Sequence, residues 1–357
     1  MDLKNLFSQT KSLVGLDIGS TSMKLAEIVS TSQGLTLNRF LQIPVPPGVI
    51  VEGVLHDPGA LAGVIKELFR NSGCKGKGIV TSLSGNSVII KKVTLAQMEE
   101  AELRELIHDE AGKYLPFDNM DDVNYDFQIL GDNEFNPNQM EVIIVAAKKT
   151  DVNGYLDAFA AAGLQVMIMD VDSFALETMY EANYDFEENE IVVIVNIGAS
   201  LTNINVIRGG MSVFTRDFTM AGNAVTEALQ ERFQVTAEEA ERMKVEGTAG
   251  AQEIPGLENA ILDAAEPICS EIERSVDYFR STFGGEEIKH VFLSGGSSRI
   301  AGLSDLLSQR LNIGTQLINP LAKIGHNKKN IDEGKLDGIK TIGAVAIGLG
   351  LRKIGDK

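Results

Sequence analysis

At 357 residues the chain is longer than a single hydrophobic core usually supports, so two or more domains are expected. Its 44% apolar and 23% charged residues are ordinary for a soluble globular protein. The net charge of −18, with no Lys/Arg cluster to offset it, argues against nucleic-acid binding and against adhesion to anionic lipid.

No apolar run reaches the roughly 20 residues of a spanning helix. Residues 1–12 hold no signal-peptide core and read as a short amphipathic helix (Leu3, Leu6, Phe7) or a frayed end. Cys74 and Cys269 stand far apart without a neighbouring histidine, which reads as free thiols in a reducing compartment. His56, His108, His290 and His326 form no visible pairing, and the cytosol is the default compartment.

Strands are expected near 13–18, 22–29 and 35–42. Between the first two lies a turn of small residues, Gly19-Ser20-Thr21-Ser22, with Asp17 before it and Lys24 after it. Successive backbone N–H groups in such a turn form a concave anion site. Asp17 repels a bare phosphate, so its presence points to a hydrated divalent cation between the two. A proline-rich break at 44–48 leads to a helix carrying Leu61, Val64, Ile65, Leu68 and Phe69, then a short strand at 79–83.

An insert then opens. A strand at 88–93 precedes a helix from about 96 to 114, ended by Pro116. Two strands at 121–130 and 140–147, joined by a turn-rich loop at 131–139, and a helix at 151–162 complete a small α+β unit. The chain returns with a strand at 163–171 and a helix at 173–180, with Asp172 or Ser173 as its N-cap. Asp170 and Asp172 stand at a strand end, where open sheets carry ligand groups.

After an acidic loop at 185–190 the opening pattern recurs. Asn196 and Gly198, then Ala199, Ser200 and Thr202, repeat the frame of Asp17 and Gly19, the steps 17 to 196 and 19 to 198 both being 179. Helices are expected at 222–233, at 236–244 with Thr236 as cap and a Glu in the capping-box position, and at 262–279. Glu241 and Lys244, three apart, share one helix face. A strand at 290–293 ends in Ser294-Gly295-Gly296-Ser297, followed by Arg299; paired glycines let a flat base lie against bare backbone. Residues 313–337 read as a partly mobile polar loop, and 343–350 as a helix of small residues.

Two matching turns and the Gly-Gly strand end, in this order, resemble the phosphate 1, phosphate 2 and adenosine motifs of the actin-like ATPase superfamily, which includes actin, Hsp70, sugar kinases and FtsA. The insert sharpens the resemblance: its helix ending Glu110-Ala111-Gly112-Lys113-Tyr114-Leu115-Pro116-Phe117, followed by an Asp-rich strand, is similar to the 1C subdomain of FtsA and especially of PilM, a family of cytoplasmic type IV pilus components. The resemblance spans nearly the whole chain. It implies a two-lobed α/β fold, a duplicated ribonuclease-H-like unit with an inserted α+β (SHS2-like) 1C subdomain. Lobe 1 takes 1–84, 164–190 and 338–357, the insert 85–163, and lobe 2 191–337.

It also implies ATP and Mg2+ between the lobes. Asp17 would hold the metal through water, and Ser20, Thr21, Ser22 and Lys24 would meet the phosphates with Gly19. Gly198, Ala199, Ser200 and Thr202 would close over them. Glu241 and Lys244 would reach the ribose and adenine, and Gly295, Gly296, Ser297 and Arg299 would border the base. The helix at 343–350 would be the hinge element connect 2. Where the family commonly starts its second loop with Asp, this chain has Asn196, which brings no charge to the metal; tight ATP binding with slow or no hydrolysis is expected. The family further implies docking of the N-terminal cytoplasmic peptide of PilN between lobe 1 and 1C, and peripheral placement at the inner membrane through PilN. The rival readings are an FtsA-like division filament and an actin-like phosphotransferase. The former is disfavoured by a short polar end at 351–357, the latter by the lack of sugar-binding insertions.

Overall fold

The duplication is plain in the sheets. The structure, a computed structural model, describes residues 13–133, 135–247, 254–283 and 285–356; the helix or frayed end read at 1–12 lies outside them. Lobe 1 opens with an antiparallel meander, β1 (Val14–Ile18), β2 (Ser22–Thr31) and β3 (Gly34–Pro44). A small hairpin, β4 (Ile50–Val51) and β5 (Val54–Leu55), precedes α1 (Pro58–Ser72). Helix α1 starts where Asp57 accepts the Ala60 N–H, and Gly73 ends it in the left-handed region. Strand β6 (Gly78–Leu83) then runs parallel to β1.

The insert is β7 (Ile89–Ala96), α2 (Glu100–Tyr114), β8 (Val123–Asn133) and β9 (Asn136–Lys148), an antiparallel sheet in the order β7-β9-β8 covered by α2. Its core joins Val93, Leu103, Ile107, Ala111, Met140 and Val142. The loop read at 131–139 is mostly strand: pairing continues to Asn133 opposite Asn136, and the Asn133 side chain accepts the N–H groups of Phe135 and Asn136. Helix α3 (Lys149–Ala161), grouped with the insert in the sequence reading, packs Tyr155, Ala158 and Phe159 beside Leu61 and Leu68 in the lobe 1 core. Strand β10 (Gln165–Val171) pairs with β6, and α4 (Asp172–Asn183) follows.

Lobe 2 repeats the plan with β11 (Ile191–Ile197), β12 (Thr202–Arg208), β13 (Met211–Phe218), α5 (Gly222–Phe233), α6 (Ala237–Glu246), α7 (Leu257–Thr282), β14 (Ile288–Ser294), α8 (Leu303–Leu311) and β15 (Thr315–Leu317). Its sheet runs β13-β12-β11-β14-β15, and that of lobe 1 runs β3-β2-β1-β6-β10, strand for strand the same and with the same senses. Thr236 and Glu239 complete the capping box on α6, worth about 1 kcal/mol.

The polar stretch at 313–337 is packed, not loose. Ile313, Ile318, Ile324 and Ile331 are buried, β15 extends the lobe 2 sheet, and β16 (Gly325–His326) pairs with β3 of lobe 1. Four isoleucines among lysines and asparagines are too widely spaced to show a period. The chain closes with α9 (Leu336–Ile342) and α10 (Ala344–Leu351).

Between the lobes, α4 and α10 share a third core with Val192, Ile194 and Phe292 of lobe 2 and Ala26, Ile28 and Leu37 of lobe 1. The small residues of α10 are required here. A Cβ on Gly348 would lie 1.8 Å from the Ala175 carbonyl, and one on Gly15 2.2 Å from that of Ala346. Backbone therefore packs on backbone where α10 meets β1 and α4.

Candidate functional site

Each lobe contributes one tight hairpin turn. The Gly19 N–H donates to the Ser22 carbonyl at 3.1 Å, and the Gly198 N–H to the Leu201 carbonyl at 2.8 Å. The turns face each other closely enough for the Ser200 hydroxyl to donate to that of Ser20 at 2.7 Å. Between them lies a cleft whose walls include Asp17, Gly19, Ser20, Thr21 and Lys24 from lobe 1 and Asn196, Gly198, Ala199, Ser200 and Gly295–Gly296 from lobe 2.

Charge in this cleft sits on one side. Asp17 and Lys24 are register partners on β1 and β2 and pair at 3.1 Å. Asn196 and Asn203, at the same positions of β11 and β12, make a neutral amide pair at 3.0 Å. The third charged group is Asp172, which also belongs to lobe 1. It is the first residue of α4 and does not cap it; its carboxylate instead accepts the Ser82 hydroxyl at 2.5 Å. Burial, then the charge of Asp17, raises the Asp172 carboxyl to about 7.

Gly295 (φ 86°) and Gly296 form the far end. A Cβ on Gly295 would meet the Ile197 carbonyl at 2.4 Å, whereas Gly296 faces open space. Ser297 lies behind the wall, donating to the Gly198 carbonyl at 2.8 Å, and a Cβ on Gly222 would strike its hydroxyl. This locks the Gly-Gly loop, the second turn and the start of α5 together.

Not every residue marked in the sequence reaches the cleft. Thr202 is buried and donates to the Met220 carbonyl, Ser22 accepts from Gln42, and Arg299 is exposed beyond the lining. Lys244 is only 2% exposed and donates to Gly222 O, Thr226 Oγ1 and Glu241 Oε2, a structural network behind α5. The Glu241 carboxylate, half exposed, is shared between Thr226 and Lys244. Conversely, Ser84, Asn203, Leu201 and Gly53 line the cleft unmarked; Asn203 carried a signal in its step of 179 from Lys24, and Asp172, also in the lining, in its place at a strand end.

The family model for type IV pilus assembly protein PilM matches residues 15–354. The chain belongs to the PilM family. A solved PilM-PilN type IV pilus biogenesis complex is 29% identical, with TM-score 0.85 over 97% of this chain and 100% of that one. Ethanolamine utilization protein EutJ from Carboxydothermus hydrogenoformans (16% identity, TM-score 0.54, 95% and 89% covered) shares the fold. So does MreB5 of Spiroplasma citri bound to AMPPNP (12%, 0.51, 95% and 95%). The fold is therefore the two-lobed actin-like ATPase fold.

A second concavity of this PilM-family chain separates the insert from lobe 1. Its walls include two edge strands, β8 of the insert sheet and β10 of the lobe 1 sheet, together with residues of β9, α3 and α4. Val145, Leu156, Val166 and Phe174 make much of it apolar. Asp170 is part of this groove, paired with Arg352 at 2.6 Å, so the two aspartates joined in the sequence reading serve different cavities. Among the described residues no helix is long and apolar enough to cross a membrane, and no group of three or more His, Cys, Asp or Glu is placed to hold a metal.

Proposed function

We propose that the chain is an ATP-binding cytoplasmic scaffold of the type IV pilus inner-membrane platform, recruited by the N-terminal cytoplasmic peptide of PilN. The observation that carries the nucleotide half is the pair of matched turns touching across one cleft at 2.7 Å. The lining supports it chemically. Its ionisable residues are Asp17, Asp172 and Lys24; Lys24 is already paired with Asp17, so the wall has no surplus cation to hold a polyphosphate unaided and suits one accompanied by a divalent cation. Magnesium keeps most of its waters and needs few protein ligands. Asp17 would hold such a water, and the hydroxyls of Ser20, Thr21 and Ser200, with backbone of Gly19, Gly198 and Ala199, would surround the phosphates. Open space over Gly296 suits the base.

Among the described residues that line the cleft, lobe 2 contributes no carboxylate, so its share of charge stabilisation during hydrolysis is missing and turnover is slow. Phosphate release at several per second from purified protein would contradict this.

For PilN, the groove between β8 and β10 suits an extended peptide, because two strand edges offer backbone partners and Val145, Leu156, Val166 and Phe174 offer apolar surface. Val145→Arg in the groove should abolish capture of a synthetic PilN N-terminal peptide and leave nucleotide binding intact. Unchanged capture would place the peptide elsewhere.

A further inference from the structure

A buried donor beside the cleft lacks a partner. Asn203 lines the cleft and is 2% exposed, yet its Nδ2 completes no hydrogen bond among the described residues. Its Oδ1 accepts Asn196 Nδ2 at 3.0 Å. Its register partner on β13 is Asp217, whose Oδ2 accepts the Gly85 N–H at 2.7 Å. Burial raises the Asp217 carboxyl, and the Asn203 amide, then the Gly85 N–H, lower it. The amide thus acts on the carboxylate from outside strict hydrogen-bond geometry. Three neighbouring strands of lobe 2 carry these groups as one row, Asn196, Asn203 and Asp217. The matching row of lobe 1 is Asp17, Lys24 and Gln42. Lobe 1 therefore sets its carboxylate at the cleft, and lobe 2 sets one two strands behind it.

Resting on the nucleotide half of the functional reading above, we propose that Asp217 is a positioning residue for the cleft, fixing the Asn196 amide through Asn203. A carboxylate only accepts, so Asn203 turns its N–H group toward Asp217 and its oxygen toward Asn196. Asn196 then spends its own N–H on Asn203 and keeps its oxygen for the cleft. A Cβ on Gly295 would meet that oxygen at 2.8 Å, which sets it against the Gly-Gly loop of the same lining. The waters of a bound cation turn their hydrogens outward, so an acceptor of fixed direction suits them and an N–H group does not. Asp217→Asn keeps the volume but offers one oxygen to two N–H groups. With Gly85 holding that oxygen, Asn203 turns over, Asn196 follows, and an N–H group replaces the acceptor.

The row is tested first without ligand, by NMR of the full chain labelled on its asparagine side chains. The Asn196 side-chain amide signal, assigned by its loss in Asn196→Ala, should move in Asp217→Asn; an unmoved signal overturns the inference. The role is then tested by calorimetric titration of AMPPNP with magnesium and with a chelator. Asp217→Asn should weaken magnesium-AMPPNP binding about threefold, leave the metal-free affinity unchanged, and have no effect in an Asn196→Ala background. Asn203→Leu, which cuts the row at its middle and spares the bond between Gly85 and Asp217, should show a similar loss. A merely structural Asp217 would weaken both forms of the nucleotide alike and act equally in Asn196→Ala, and either result overturns the inference. If wild type binds no magnesium-AMPPNP, the functional reading falls, and the positioning role falls with it whatever the NMR shows.

Discussion

The two turns are the same object built with different charge. Backbone, register and the glycine N–H bond match, yet positions 17 and 24 hold an ion pair where positions 196 and 203 hold two amides. Duplication preserved the shape that hairpin geometry enforces and left the electrostatics free to diverge. Consequently the cleft's charged lining residues, Asp17, Lys24 and Asp172, come from lobe 1, and lobe 2 contributes hydroxyls, amides and bare backbone. Under the proposed function, such a site would take a metal-nucleotide without a carboxylate in the opposing lining to steady the metal.

Restoring the missing charge should have the largest effect. Asn196→Asp is expected to raise phosphate release on the order of 10²-fold, read in a phosphate assay under saturating magnesium-ATP. An unchanged rate would mean that the asymmetry does not limit hydrolysis. Next, removing the lobe 1 charge should hurt binding far more than removing its lobe 2 counterpart. Asp17→Ala should weaken magnesium-dependent nucleotide binding roughly 10–100-fold, as loss of an outer-sphere metal partner does. Asn196→Ala should cost only about threefold. Equal losses would erase the distinction between the walls.

The backbone difference is smaller. A Cβ at Gly198 would sit 2.9 Å from the Leu201 carbonyl, against 3.1 Å from the Ser22 carbonyl at Gly19. Gly198→Ala should therefore lower stability by about 1–3 kcal/mol and Gly19→Ala by less, compared by urea midpoints.

Smallest is a pH effect at another lobe 1 carboxyl that meets neutral donors of lobe 2. Glu177 accepts the Ser212 N–H and hydroxyl, and burial raises it from 4.5 to about 7. Between those values the folded chain holds a proton that the unfolded chain releases, so this group's contribution to stability falls as pH rises from 4.5 to 7. Glu177→Gln should flatten that part of the stability profile in thermal melts; an unaltered slope would assign it elsewhere.

What could be read in advance follows how far apart in the chain the information lies. Each turn is spelled by consecutive residues, and its repeat at a constant step announces the duplication without any long-range knowledge. The groove was anticipated only through the family, because β8 and β10 become neighbouring edges through the path of the whole insert. Lys244 illustrates the same limit. Its spacing from Glu241 reads as an open helix face, but Gly222 and Thr226 of α5 close over it. Ile318, Ile324 and Ile331 were hidden by polar neighbours, and their burial depends on β16 finding β3 nearly 290 residues earlier in the chain.

The most direct test of the central claim is a crystal structure with magnesium-AMPPNP. The phosphates should lie between Gly19 and Gly198, touched by both turns, with the metal linked to Asp17 through water and no carboxylate of lobe 2 approaching it. Phosphates held by one turn alone, or bound outside this cleft, would contradict the account.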